Sequence, residues 1–186
     1  MIFVTTGISG APFDRLLREI DRIEGDEPMV VQHGPSTIRP RRGQSVGFLT
    51  FSELDDLMAS ARVVITHGGA GSVLVALRHD IRPIVVPRLP QFGEVVDDHQ
   101  LLFARRLAEA GLVRLVENPT DLPAALAAEP AQRIGHVPRG SQLTDDLADY
   151  LADVMGETTV KDTAQNGTGA VDRRYLPTLR GDDDAA

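Results

Sequence analysis

No cysteine occurs in this 186-residue chain, which excludes disulfides, thiolate nucleophiles and cysteine-ligated metals and is compatible with a reducing cytosol. Tryptophan is absent and there are only two tyrosines, so aliphatic side chains must fill the core, as suits a parallel α/β sheet. Apolar runs do not exceed strand length, so no segment is expected to span a bilayer, and the first residues lack the basic, apolar and small-residue order of a signal peptide. The expectation is a soluble, cytosolic protein. Positive charge is also scarce: 19 Lys and Arg against 27 Asp and Glu leave a formal charge of -8, which argues against nucleic-acid binding. Arg39, Arg41 and Arg42 form a local exception, read either as a solvated turn or as a face for acidic lipid headgroups or a partner.

What is present has the composition of one compact domain with a tail, large enough to need no staple. Residues 2–5 form an apolar run that breaks at Thr6-Gly7-Ile8-Ser9-Gly10. An amphipathic stretch over residues 12–23 follows, with Phe13, Leu16, Leu17, Ile20 and Ile23 at helical spacing and Pro12 placed in the first turn. Residues 29–32 and 46–49 read as the second and third strands, followed by a helix with Ser52 as its N-cap. A buried strand at 63–66 ends in His67-Gly68-Gly69-Ala70-Gly71-Ser72. Next are predicted a helix (73–78), a strand (83–86), a loop (87–96), a helix (97–110), a strand (113–116) and a short helix (122–128). This alternation predicts an α/β fold, a Rossmann-like parallel sheet with helices on both faces and ligands at the carboxyl ends of its strands. Residues 143–155 carry one more helical pattern. The domain is expected to span residues 1–155, with 156–186 a disordered tail.

Two glycine loops occupy the ligand-binding position. Glycines after a buried strand let backbone approach an anion closely, and the helix beginning near Ser72 offers unpaired N–H groups, so a diphosphate is the natural guest. The alternative is a tight strand-to-helix turn without a ligand; two loops at one edge favour binding. Neither is a Walker A loop, for lack of a Lys before the Ser, and Thr6 to Gly10 lacks the dinucleotide GxGxxG spacing. His67 has two readings, a ligand contact or a hydrogen-bonded structural residue. Arg88, Glu94, Asp97, Asp98, His99 and Gln100 make a second polar group. On one reading its acids complement a helix dipole; on the other, Glu94 and Gln100 bond sugar hydroxyls, with Arg88 near a phosphate or carboxylate. A metal site from Asp97, Asp98 and His99 is disfavoured because adjacent helical side chains diverge. The absence of a G-x-S-x-G elbow leaves hydrolase chemistry little support.

FVTTG (3–7), VQHG (31–34), ITHGGAGS (65–72), PIVVPR (83–88) and FGEVVDDHQ (92–100) together resemble the glycosyltransferase family 28 C-terminal domain, over about residues 1–128. The pattern is most similar to stand-alone small subunits of bacterial exopolysaccharide and capsule enzymes. The resemblance implies the donor-binding half of a GT-B glycosyltransferase, a hexosyltransferase taking its sugar from UDP-sugar without a cofactor or metal. It implies that Thr6, Gly7, Ser9, Gly10 and residues His67, Gly68, Gly69, Ala70, Gly71 and Ser72 face the donor diphosphate. Phe48, Leu49 and Phe51 would border the uracil, and Arg88, Glu94, Asp98 and Gln100 the sugar. The implied partners are a membrane-anchored, acceptor-binding subunit that recruits the chain to the inner membrane face, and a lipid-linked saccharide acceptor. The base would come from that partner, with His99 the candidate within this chain. One position departs from the family: its ribose-binding glutamate, three residues after the Ser72 position, is Val75 here. A non-catalytic scaffolding subunit is the competing expectation.

Overall fold

A computed structural model describes residues 1–128. Along the chain run β1 (Ile2–Thr5), α1 (Asp14–Ile20), β2 (Met29–Gln32), β3 (Gln44–Val46), α2 (Phe51–Ser60), β4 (Val63–Thr66) and α3 (Ala70–Arg78). They are followed by β5 (Ile84–Val85), α4 (His99–Glu109), β6 (Arg114–Leu115) and α5 (Leu122–Ala127). The strands make one six-stranded sheet in the order β3-β2-β1-β4-β5-β6, with every pairing parallel. This is the Rossmann-like α/β architecture expected from the sequence.

Successive strand residues enter cores on opposite faces. Ile2, Val4, Val63 and Ile65 pack with Leu16, Leu17 and Ile20 of α1 and with Leu122 and Leu126 of α5. Phe3, Val30 and Val64 pack with Leu57 and Met58 of α2 and Val75 of α3, while Val85 meets Val73, Phe103 and Leu107. Burial on both faces explains why the central strands are uninterrupted aliphatic runs. Each fully buried side chain of this size contributes roughly 1.5–3 kcal/mol. Because α1 leaves β1 toward one face and α3 leaves β4 toward the other, the loops between them part at the carboxyl edge. A crevice opens at this point of reversed strand order.

Several boundaries differ from the sequence expectation, each for a local reason. Helix α1 begins at Asp14, not Pro12, because the carbonyls of Ala11 and Pro12 accept from Arg88 Nη1 at 3.0 and 3.2 Å. Strand β3 ends at Val46: the Gly47 carbonyl accepts from Gly34 N (2.9 Å) and Gln32 Nε2 (3.1 Å), which takes the chain out of the ladder. The N-cap of α2 is Thr50 rather than Ser52, in a reciprocal capping box with Glu53. Helix α3 starts at Ala70 with Gly69 as N-cap, earlier than expected, and α4 starts at His99. Arg42 donates to the Ile23 and Glu27 carbonyls at 2.7 and 3.1 Å, and Arg39 to the Ser36 carbonyl, so these two arginines hold a turn together. The expected helix at 143–155 and tail at 156–186 lie outside the described residues.

Candidate functional site

The loops after β1 and β4 bound the crevice. Gly7 has φ +76°, a left-handed conformation that favours glycine. Contact also requires glycine here. A Cβ at Gly7 would stand 2.4 Å from His67 Cε1, and one at Gly69 would stand 2.2 Å from His67 Nε2. The buried imidazole is thus held between the two loops. Burial, and after it the charge of Arg88, pushes its pKa down to about 3, so the ring is neutral at pH 7.

Some backbone groups of the first loop are tied inward. Gln32, buried at the end of β2, accepts from Thr5 Oγ1 (2.7 Å), Thr6 N (3.1 Å) and Gly7 N (3.1 Å), and its Nε2 donates to the Gly7 carbonyl at 2.9 Å. The N–H groups of Ile8, Ser9 and Gly10, in contrast, have no partner among the described residues. The same holds for the N–H groups of Gly68, Gly69, Ala70, Gly71 and Ser72, since a first helical turn has no intrahelical acceptors. In front of them there is room: a Cβ on Gly10 or Gly71 would meet no heavy atom within 4 Å. Two rows of unpaired donors therefore flank the crevice, with the positive end of the nine-residue helix α3 behind one of them.

Arg88 and Glu94, expected at the sugar, have their side chains buried beneath the loops. The Arg88 side chain is fully buried. Its Nη1 donates to the carbonyls of Ala11, Pro12 and Glu94 (3.0, 3.2 and 3.3 Å) and its Nη2 to that of Thr6 (2.9 Å), with the guanidinium 4.6 Å from the Phe13 ring centre. The buried Glu94 carboxylate accepts from Arg15 Nε and Nη2 (3.1 and 2.9 Å) and from Leu89 N (3.0 Å). Arg15, which the sequence analysis passed over as an ordinary helix residue, also donates to the Pro87 carbonyl at 2.8 Å and lies over the Phe92 ring.

Gln100 does border the crevice. A Cβ on Gly68 would fall 2.8 Å from Gln100 Cβ, so the first turn of α4 abuts the second glycine loop. Gln100 Oε1 accepts from Arg88 N at 3.2 Å, and its Nε2 has no partner among the described residues. Asp98 is exposed beside it. His99 is 71% exposed and its Nδ1 lies 2.7 Å from Asp97 Oδ1, which leaves Nε2 facing solvent. The His99 backbone N–H and then its ring hold the Asp97 carboxyl below its usual pKa. Across the sheet, after β3, Phe48 and Phe51 are exposed and Leu49 packs partly into the core. Val75 is buried in that same core rather than facing the crevice.

All the large apolar residues exposed among the described residues lie at this carboxyl edge: Ile8, Phe48, Phe51, Phe92, Val96 and Leu102. A cavity of about 470 Å³ at the opposite edge contains Arg22, Arg42 and Arg62. Those arginines are committed to Glu19, to backbone carbonyls and to Glu27 respectively. Among the described residues, no three His, Asp or Glu side chains converge to hold a metal ion, and no helix is long and apolar enough to cross a membrane.

Residues 1–133 match the Glycosyltransferase family 28 C-terminal domain. The chain is 33% identical over 122 residues to the UDP-N-acetylglucosamine transferase subunit ALG13 of Yarrowia lipolytica, covering 58% of this chain and 60% of that relative. In fold it is similar to the glycotransferase of kitacinnamycin (TM-score 0.51, 17% identity, 95% of this chain and 44% of that one). It is likewise similar to CalG4, the calicheamicin glycosyltransferase (TM-score 0.53, 21% identity, 82% and 43%). Both are GT-B enzymes. The chain thus spans 60% of the curated relative and less than half of each solved chain.

Proposed function

The chain belongs to the glycosyltransferase family 28 C-terminal domain family, and from that premise we propose that it is the donor-binding half of a UDP-sugar-dependent hexosyltransferase. In this reading it holds the UDP-sugar across the carboxyl edge of its sheet. A membrane-anchored partner presents a lipid-linked saccharide acceptor, as a step of polysaccharide biosynthesis. The supporting observation is the pair of unpaired N–H rows, Ile8 to Gly10 and Gly68 to Ser72, on either side of the crevice. A diphosphate between them would receive charge-assisted hydrogen bonds from both loops and the field of α3. Uracil then falls on the side of Phe48, Leu49 and Phe51, and the sugar on the side of Gln100 and Asp98.

In the transfer, the acceptor hydroxyl oxygen attacks the anomeric carbon while the bond from that carbon to the β-phosphate oxygen breaks, and UDP leaves with the electron pair. Negative charge grows on the diphosphate as this happens, and fixed N–H dipoles already aimed there stabilise it without a metal ion. The acceptor proton passes to a base on the partner or, within this chain, to His99, whose ring Asp97 orients. Of the exposed apolar residues at the same edge, Phe92, Val96 and Leu102, away from the uracil side, supply the contact with that partner. The test is calorimetric titration with a panel of nucleotides and UDP-sugars, followed by turnover assays with the chain alone, partner membranes alone and both together. UDP affinity in the isolated chain, with activity only in the mixture, is the expected result. Full activity from the isolated chain, or preference for another nucleotide, refutes the reading.

Val75 favours a second reading, a non-catalytic subunit that keeps the fold. With that side chain in the core, no carboxylate stands where the family places its ribose ligand. A chain that binds no UDP yet is required by its partner would establish this alternative.

A further inference from the structure

We propose that Arg88 is a positioning residue for the anion site: it holds the Thr6–Pro12 loop by its carbonyls so that the N–H groups of Ile8, Ser9 and Gly10 face the crevice. The inference rests on the diphosphate-binding reading above and adds a residue that never touches the ligand. Arg88 is the largest fully buried side chain among the described residues, and burying a guanidinium is costly unless its donors are satisfied. Its donors meet only carbonyl oxygens: Thr6, Ala11 and Pro12 in the first loop and Glu94 in the loop after β5. Arg88 pins the loop at both ends, at Thr6 on one side and at Ala11 and Pro12 on the other, while Gln32 Nε2 draws in the Gly7 carbonyl that precedes the Ile8 N–H. The span held between these anchors is the one whose three amides have no partner among the described residues.

The charge of Arg88 points the same way. Among the described residues no carboxylate forms an ion pair with it, the Glu94 carboxylate being bonded to Arg15 and Leu89 N. With Arg15 and Glu94 offsetting each other, the cluster keeps one buried positive charge beneath the loop. Its Nε has no hydrogen-bond partner among the described residues. The field of Arg88 reaches the neighbouring glycine loop as well, where it disfavours protonation of His67. The Glu94 carboxylate already attracts this buried charge, and a diphosphate on the far side of the loop, bound by the amides of the segment that Arg88 anchors, would add to that attraction.

The test compares wild type with Arg88→Met and Arg88→Lys, using UDP, uridine and inorganic pyrophosphate as probes. Circular dichroism and thermal melting establish that each variant is folded. A positioning role predicts that Arg88→Met lowers affinity for UDP and pyrophosphate by about tenfold or more, the scale of one hydrogen bond to a charged group, with uridine affinity unchanged. Arg88→Lys should recover part of the loss. A folded Arg88→Met with the wild-type ratio of UDP to uridine affinity overturns the inference while leaving the nucleotide site standing. Should Arg88→Met fail to fold, the wild-type Arg88 Nε–H resonance and the Ile8, Ser9 and Gly10 amide resonances decide the matter. All must shift with UDP and pyrophosphate and stay in place with uridine, and an unmoved Arg88 resonance at saturating UDP refutes the proposal. A wild-type chain that binds none of the three probes removes the nucleotide site and this inference with it.

Discussion

Replacing Gly71 by valine separates the anion site from the fold cleanly. A Cβ at Gly71 meets nothing within 4 Å, and the position is exposed in the first turn of α3. Glycine is about 1 kcal/mol worse than alanine in a helix and valine only somewhat worse than alanine, so stability should hold or rise slightly. The branched side chain would stand over the unpaired amides of Ala70, Gly71 and Ser72 and keep an anion from reaching them. Losing one hydrogen bond to a charged group costs about 1.5–3 kcal/mol, or roughly 10- to 150-fold in affinity. Gly69→Val is a poor substitute, because its Cβ would strike His67 Nε2 at 2.2 Å and disturb the spacing of both loops. The assay is UDP titration by calorimetry beside a thermal melt. A Gly71→Val protein with an unchanged melt and unchanged UDP affinity would show that the diphosphate does not lie at α3.

Three further outcomes are expected. Gln100→Ala should weaken UDP-sugar binding about fivefold, the scale of a neutral hydrogen bond, with UDP affinity nearly unchanged; equal losses for both ligands refute the sugar assignment. Stability should fall as pH drops from the ordinary histidine value of 6.5 toward 3. Over that range the unfolded chain protonates His67 while the folded one does not, and His33, also lowered by burial, acts with the same sign. Urea midpoints at pH 7 and pH 5 measure this slope, and His67→Gln should flatten it; an equally steep slope in the variant would show that His67 is not the cause. The partner requirement is checked by reconstitution, with the isolated chain expected to turn over little donor.

The centre of the sheet was legible because β1, β2 and β4 are apolar runs buried on both faces, whereas the edge strands β3 and β6 are half-buried and carry Gln44, Ser45 and Arg114. The glycine loops were legible because they follow β1 and β4. What the sequence analysis missed depends on side chains crossing between distant segments. Gln32 falls at the end of the strand expected at 29–32, yet it fixes three backbone groups 25 or more residues away. Arg15 reads as a solvated helix residue until the loop carrying Glu94, 79 residues later, is folded over it. The sequence offers Arg88 as a ligand contact, and nothing local reveals that its donors turn inward. The Thr50 cap, in contrast, carried its own signal: Thr50-Phe51-Ser52-Glu53 is a capping box, and the glutamate three residues on should have moved the assignment from Ser52.

At the carboxyl edge the usual partition of residues is inverted. Thr5, Thr6, Gln32, His33, Thr66, His67, Arg88 and Glu94 are buried there, while Ile8, Phe48, Phe51, Phe92, Val96 and Leu102 are exposed. Water-facing polar groups at those buried positions would cost nothing, so their burial, bonded largely to loop backbone, is explained by the rigidity it gives the loops. Rigid loops matter only where something must be held at fixed distances, as a leaving diphosphate must. The exposed apolar residues need a different explanation, because a charged nucleotide gains little from six of them spread along the whole edge. A second protein surface would cover them and also exclude water from the crevice, strengthening each amide-to-phosphate interaction. On the proposed function, the two inversions would have one cause, closure of this edge by a partner over a bound anion. Removing apolar character at Val96 and Leu102, far from the amide rows in sequence, should therefore weaken partner association and turnover while leaving UDP affinity of the isolated chain intact.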